Sequence, residues 1–168
     1  MKEILRNMDD FKIIEMYRDV LVEMKSRNLI RSSNLIGDWG ERLAINFYNE
    51  SPQLPNLEAV RVGTKNVDAI SREFERYSIK TTTTKMTGVF NGLNDVNSEQ
   101  PQKQKFEYVI IVMLNKDLSL KAIYELDWEN FLTLKKWNKS KKTWYLSISN
   151  ELKRKSKVLY DNESNLTI

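Results

Sequence analysis

Apolar residues at Phe11, Ile14, Tyr17, Leu21 and Met24 recur at helical spacing behind a cap at Asp9 or Asp10, which predicts a helix to about Asn28. Ser32, Ser33 and Asn34 offer a second cap, and Ile36, Trp39, Leu43 and Phe47 form the stripe of another helix that Pro52 and Pro55 end. The period then changes to two. Val60 and Val62 suggest a first strand, and Val67 to Ile70 and Tyr77 to Thr82 an antiparallel pair joined through Ser71 to Arg76. The near-continuous run FEYVIIVML reads as a central strand covered on both faces. After a turn at Asn115 to Asp117, LSLKAIYEL alternates and pairs beside it. Asp127 caps a helix through Trp128, Phe131 and Leu132, and a last strand and helix follow. These elements predict a mixed central sheet flanked by helices, an α/β or α+β class.

Between Thr83 and Lys105 periodicity is lost among Thr, Asn, Gln and Lys residues, as expected of a binding loop, a lid or a disordered insert. At 168 residues the chain suits one domain: an N-terminal helical region over 1–33, a core over 34–126 and a basic region over 127–168. The apolar runs are too short to span a bilayer and the N-terminus lacks a signal-peptide core, so a cytoplasmic protein with no membrane partner is expected.

Composition removes whole chemistries. The sequence contains no histidine and no cysteine, which excludes imidazole or thiolate zinc sites, cysteine nucleophiles, Ser-His-Asp triads and histidine-dependent nuclease types. Its five glycines spell neither GxGxxG nor GxxxxGK. Any catalysis must therefore use carboxylates, lysine or arginine, hydroxyls and a hard metal ion. The net charge is +4, but Lys135 to Tyr160 holds nine Lys/Arg against Glu151 alone, so that segment carries +8 and the remainder −4. Such a segment fits a polyanion-binding surface, or only a solvated face.

Alternation along the hairpin puts Val67, Ala69, Tyr77 and Ile79 on a core face. Asp68, Ser78 and Lys80 then share the opposite face, provided that Asp68 pairs with Ser78 or Lys80. Asp68 followed by Ser78-Ile79-Lys80 resembles the PD-(D/E)XK nuclease superfamily, the fold of many restriction endonucleases and junction resolvases. The preceding GDWGERLAINFY strengthens the likeness, because a helix before the hairpin often supplies a further acid there and Glu41 is the matching residue. Gly37 and Ala44 are small enough to let that side of the helix lie against the sheet. Ser78 departs from the pattern, which wants Asp or Glu.

The resemblance covers roughly Asn34 to Leu126 and implies a restriction-endonuclease-like fold with Glu41, Asp68, Ser78 and Lys80 as its catalytic group. Asp68, Glu41 and the Ile79 carbonyl would hold Mg²⁺, with Mn²⁺ as substitute, because Mg²⁺ favours oxygen ligands. The implied activity is Mg²⁺-dependent hydrolysis of double-stranded DNA, with Lys80 orienting the water and 5′-phosphate ends as product. Restriction enzymes commonly act as homodimers. Thr81, Thr82, Thr83 and Lys85 are candidates for phosphate contacts, as are Lys139, Lys141 and Lys142. Asn91, Asn94 and Gln102 are candidates for reading adenine edges. The competing readings are a non-catalytic DNA-binding member of the fold and a protein-interaction domain. In them Glu41 is a surface helix acid, Asp68 a hairpin-end residue and Lys80 a guard on an edge strand.

Overall fold

A computed structural model describes residues 1–61 and 63–162. In chain order its elements are α1 (Lys2–Arg6), α2 (Asp10–Ser26), α3 (Leu35–Glu50), β1 (Leu57–Ala59), β2 (Ala69–Ser71), β3 (Arg76–Thr82), β4 (Tyr108–Leu114) and β5 (Leu120–Asp127). After these come α4 (Trp128–Leu134), β6 (Lys136–Asn138), β7 (Thr143–Tyr145), α5 (Asn150–Lys155) and β8 (Lys157–Asp161). Six strands form one mixed sheet in the order β1-β2-β3-β4-β5-β8, and β6 and β7 form a separate antiparallel ribbon. Within the large sheet β3 and β4 are parallel and the other neighbours antiparallel.

The capped segments form as their sequences dictate. Asp9, Asn34 and Asp127 accept hydrogen bonds from the backbone amides of Lys12, Gly37 and Asn130, starting α2, α3 and α4. Both faces of the central strand β4 are covered, and six of its seven residues are buried. On one side Ile110 and Val112 pack with Ala69, Tyr77 and Ile79 of the neighbouring strands and with Ala44 and Tyr48 of α3. On the other, Val109 and Ile111 meet Leu126, Trp128, Phe131, Phe90 and Phe106.

Three features differ from the sequence pattern or add to it. The first strand is Leu57–Ala59 rather than a segment around Val60 and Val62. Leu57, only 1% exposed, anchors it, and the Asn49 amide of α3 brackets its backbone, donating to the Leu57 carbonyl at 3.1 Å and accepting its N–H at 2.7 Å. Val60 follows the strand and donates its amide to the Asp68 carbonyl, whereas Val62 lies outside the described residues. Second, α2 buries no residue, and Phe11, Ile14 and Tyr17 are exposed. Periodicity showed the helix to be amphipathic but carried no information on its partner; from Tyr17 onward, Leu21 and Met24 line a shallow groove with Leu35, Trp39 and Leu118.

Third, residues 83–105 are anchored to the core rather than a disordered insert. Parallel strands need a long crossover, and this segment provides it between β3 and β4. Met86 and Phe90 form isolated bridges with Ser147 and Trp144, the Ile148 amide donates to the Lys85 carbonyl, and Phe90 and Phe106 are buried in the second core.

An ion pair ties the start of β3 to the residue before β4. The Glu107 carboxylate accepts from the Arg76 amide at 2.6 Å and from its guanidinium at 2.6 and 3.0 Å. These hydrogen bonds from Arg76 hold the Glu107 carboxyl below its ordinary value. A depressed carboxyl pKa contributes stability that is complete above the unfolded value near 4.5 and is lost as pH falls through the folded value. Because both side chains are about a third exposed, Glu107→Gln should cost only about 1 kcal/mol at pH 7. Thermal melts of the two proteins should converge as the pH is lowered below 4.5.

Candidate functional site

The hairpin register follows from Ala69 pairing with Tyr77 and Ile70 with Arg76. Asp68 lies one position before β2 and so falls opposite Ser78, the register in which the two share a face. The ladder ends there. Ile79 directs its N–H toward the β2 side with no strand to receive it, and Asp68 Oδ2 accepts that proton at 2.6 Å. The same oxygen lies 3.3 Å from the donating Ser78 hydroxyl and 3.8 Å from Lys80 Nζ. All three contacts fall on Oδ2, so Oδ1 can take a ligand without breaking them. In an extended strand the N–H and C=O of one residue point to the same side, so the Ile79 carbonyl opens beside Asp68 as well.

Lys80 does not guard an edge, because β3 lies inside the sheet between β2 and β4. Its ammonium is 5.2 Å from the centre of the Phe90 ring, a cation–π contact that holds it from the crossover side.

Glu41 enters from α3 on the other face of the sheet. What brings it close is Gly40: a Cβ there would lie 2.0 Å from Thr81 Oγ1 and 2.7 Å from Thr81 Cβ, so the helix backbone rests directly on β3. Ala44, fully buried, extends this close face by one turn. Gly37 does not contribute as expected, since a Cβ there would meet the Asn34 cap side chain rather than the sheet. A polar cleft lined by Glu41, Asp68, Ile79, Lys80, Gly88 and Val89 results.

Burial raises the Glu41 pKa; the Arg31 guanidinium opposes that rise and the Asp68 charge adds to it. Arg31 and Asp38 escaped the sequence reading. Arg31 pairs through Nη2 with Glu41 Oε1, and Asp38 Oδ2 accepts the backbone amides of Arg31 and Ser32 at 2.7 and 2.6 Å. The arrangement arises where the chain reverses between α2 and α3, and no periodic signal marks it. An acid in the first turn of α3 facing a basic linker was the one available hint.

Among the described residues no cluster of three or more acidic, histidine or cysteine side chains stands ready to hold a metal. The donor set is two carboxylates and a strand carbonyl. These are hard oxygens, which fit Mg²⁺ if waters and a substrate phosphate complete its shell. Ser78 is 1% exposed and donates to Asp68, so its place in the group is beside the carboxylate.

The suggested DNA contacts separate into two sets. Thr83, Lys85 and Asn91 are exposed, as are Lys139, Lys141 and Lys142 at the turn of the β6–β7 ribbon. Thr81 faces Gly40 at the cleft. Thr82 is buried and its hydroxyl donates to the Met86 carbonyl at 2.6 Å, closing the turn after β3. The Asn94 amide donates to the Gln100 and Pro101 carbonyls, and Gln102 Oε1 accepts the Asn94 backbone N–H. Thr82, Asn94 and Gln102 thus spend their polar groups on the crossover, leaving little for a base or a phosphate.

The basic ribbon connects with the cleft through aromatic residues. Lys80 lies over Phe90, Phe90 bridges to Trp144, and Trp144 stacks edge-on with Trp137 at 5.1 Å. Neither the family models nor the curated proteins compared with this chain gave a match. No helix among the described residues is long and apolar enough to cross a membrane.

Proposed function

We propose that this protein is a Mg²⁺-dependent DNA endonuclease of the restriction-endonuclease-like kind, cutting phosphodiester bonds to leave 5′-phosphate ends. The observation that carries this reading is the convergence of Glu41, Asp68 and Lys80 on one cleft from two faces of the sheet. Asp68, Glu41 and the Ile79 carbonyl are the groups that would hold the ion. When bound, Mg²⁺ supplies Lewis-acid polarisation of the phosphate and a more acidic water. Lys80 would place the attacking water and balance charge developing on the phosphate oxygens. Ser78 would keep Asp68 oriented. A homodimer would supply two such clefts, one for each strand of a duplex.

The experiment is digestion of unmethylated phage DNA with purified protein and Mg²⁺. Discrete fragments that re-ligate without prior phosphorylation fit a restriction enzyme, and a smear fits a less specific nuclease. A second reading is favoured by Ser78, because replacing an acid there leaves the ion one carboxylate fewer: a DNA-binding protein of the same fold that does not cut. Salt-sensitive binding without cleavage in any divalent metal would select it. Under either reading Lys139, Lys141 and Lys142 are phosphate contacts. Replacing all three with glutamine should weaken binding to every sequence alike and reduce the slope of log K against log salt by about 0.9 per lost contact.

A further inference from the structure

We propose that Arg31 is the resident counter-ion of the cleft: it occupies Glu41 while no metal is bound and passes to a DNA phosphate when a divalent ion takes that carboxylate. This rests on the nuclease reading above. The root of Arg31 is fixed, because Asp38 Oδ2 accepts its backbone amide at 2.7 Å. Its head is held by the Glu41 carboxylate and by the Val60 carbonyl, 3.2 Å from Nη1. The Glu41 side chain is 16% exposed and that of Arg31 27%, so the carboxylate has little water to stabilise it if left unpaired. The guanidinium engages Glu41 Oε1, so a divalent ion that binds this carboxylate brings its charge against Arg31 and weakens the pair.

Once displaced, Arg31 stays tethered beside the cleft, since its anchor on Asp38 does not involve Glu41. A guanidinium on a long arm presents a planar fork that matches a phosphate, which makes the DNA backbone its natural new partner. Metal binding to the free protein therefore works against the Arg31–Glu41 pair, and a bound phosphate relieves that opposition. The two ligands become positively coupled through one side chain.

The test uses the full chain and two probes, Mn²⁺ alone by titration calorimetry and a labelled duplex by fluorescence anisotropy in Ca²⁺. Arg31→Gln is expected to bind Mn²⁺ about tenfold more tightly than the wild type, because the competing cation is gone. It should bind the duplex about tenfold more weakly, with a salt slope smaller by about 0.9. Unchanged or weaker Mn²⁺ binding in Arg31→Gln, with Asp68→Asn having lost it, overturns the proposal while sparing the metal site. Tighter Mn²⁺ binding with unchanged duplex affinity overturns the transfer to phosphate. If wild type, Arg31→Gln and Asp68→Asn all bind Mn²⁺ equally poorly, the nuclease reading itself fails, and this proposal with it. Should Arg31→Gln not fold, Arg31→Lys carries the test: it keeps the charge but loses the fork, so duplex affinity must fall while Mn²⁺ affinity stays near that of the wild type.

Discussion

Asp68→Asn is expected to lower DNA cleavage by about 10³-fold or more while leaving the protein folded. Asparagine keeps the size of the side chain and an oxygen for the Ile79 amide, now 2.6 Å from Oδ2, and removes the charge on which an ion depends. Alanine would be the poorer choice. It would leave the Ile79 N–H without its acceptor in a partly buried place and strip Lys80 of its partner, a structural cost of about 1–3 kcal/mol on top of the chemical one. Lys80→Met should produce a loss of similar size, since it keeps an unbranched side chain of similar length while the ammonium over Phe90 is lost. Turnover of a plasmid substrate, measured beside circular dichroism spectra of both variants, checks the pair. Wild-type turnover in Asp68→Asn would remove Asp68 from the chemistry.

A second large effect should come from a residue with no polar group. Gly40→Ala would set a methyl group 2.0 Å from Thr81 Oγ1, 2.4 Å from Thr81 Cγ2 and 2.7 Å from Thr81 Cβ. A rotamer change can move the first two atoms, but Cβ is fixed to the β3 backbone. Helix α3 must therefore withdraw from the sheet. Such overpacking costs about 1–3 kcal/mol, or roughly 3–10 °C in Tm for a domain of this size. The functional effect should be larger, because Glu41 is the next residue and a shift of about 1 Å in a positioned group can cost about 10²-fold in rate. Adding Thr81→Ala should recover part of the stability, since two of the three close atoms disappear, and a double-mutant cycle reads that coupling directly. An unchanged melting temperature in Gly40→Ala would contradict the seating of α3 on β3.

Strong local rules made much of this fold legible. Asn34 and Asp127 cap helices where their sequences place them, and the pairing of β4 with β5 follows two apolar strands joined by a short turn. The order of Glu41, Asp68 and Lys80 was readable for the same reason, since Glu41 and Lys80 sit on α3 and β3 and Asp68 directly precedes β2. Non-local effects were not. The first strand is chosen by Leu57 and the Asn49 amide, not by the β-branched residues that follow. Residues 83–105 carry no period because single aromatics, Phe90 within them and Phe106 just after, anchor them to the core. Asn94 and Gln102 looked available for bases because composition cannot show that their amides are consumed by each other and by carbonyls of the same segment. Arg31 went unnoticed because its partner Glu41 lies across a chain reversal, where charge patterning along one helix gives no guidance. The specific nuclease fold and chemistry rest on the resemblance of these residues to a family pattern, and Ser78 is where the pattern and the chain differ.

Conversion of supercoiled plasmid by the purified wild-type protein, followed in parallel in Mg²⁺, in EDTA and with Asp68→Asn, tests the central claim most directly. The account predicts nicked or linear product in Mg²⁺ alone, with EDTA and the variant both leaving the plasmid intact. Cleavage that persists in EDTA, or that Asp68→Asn retains in Mg²⁺, would contradict it.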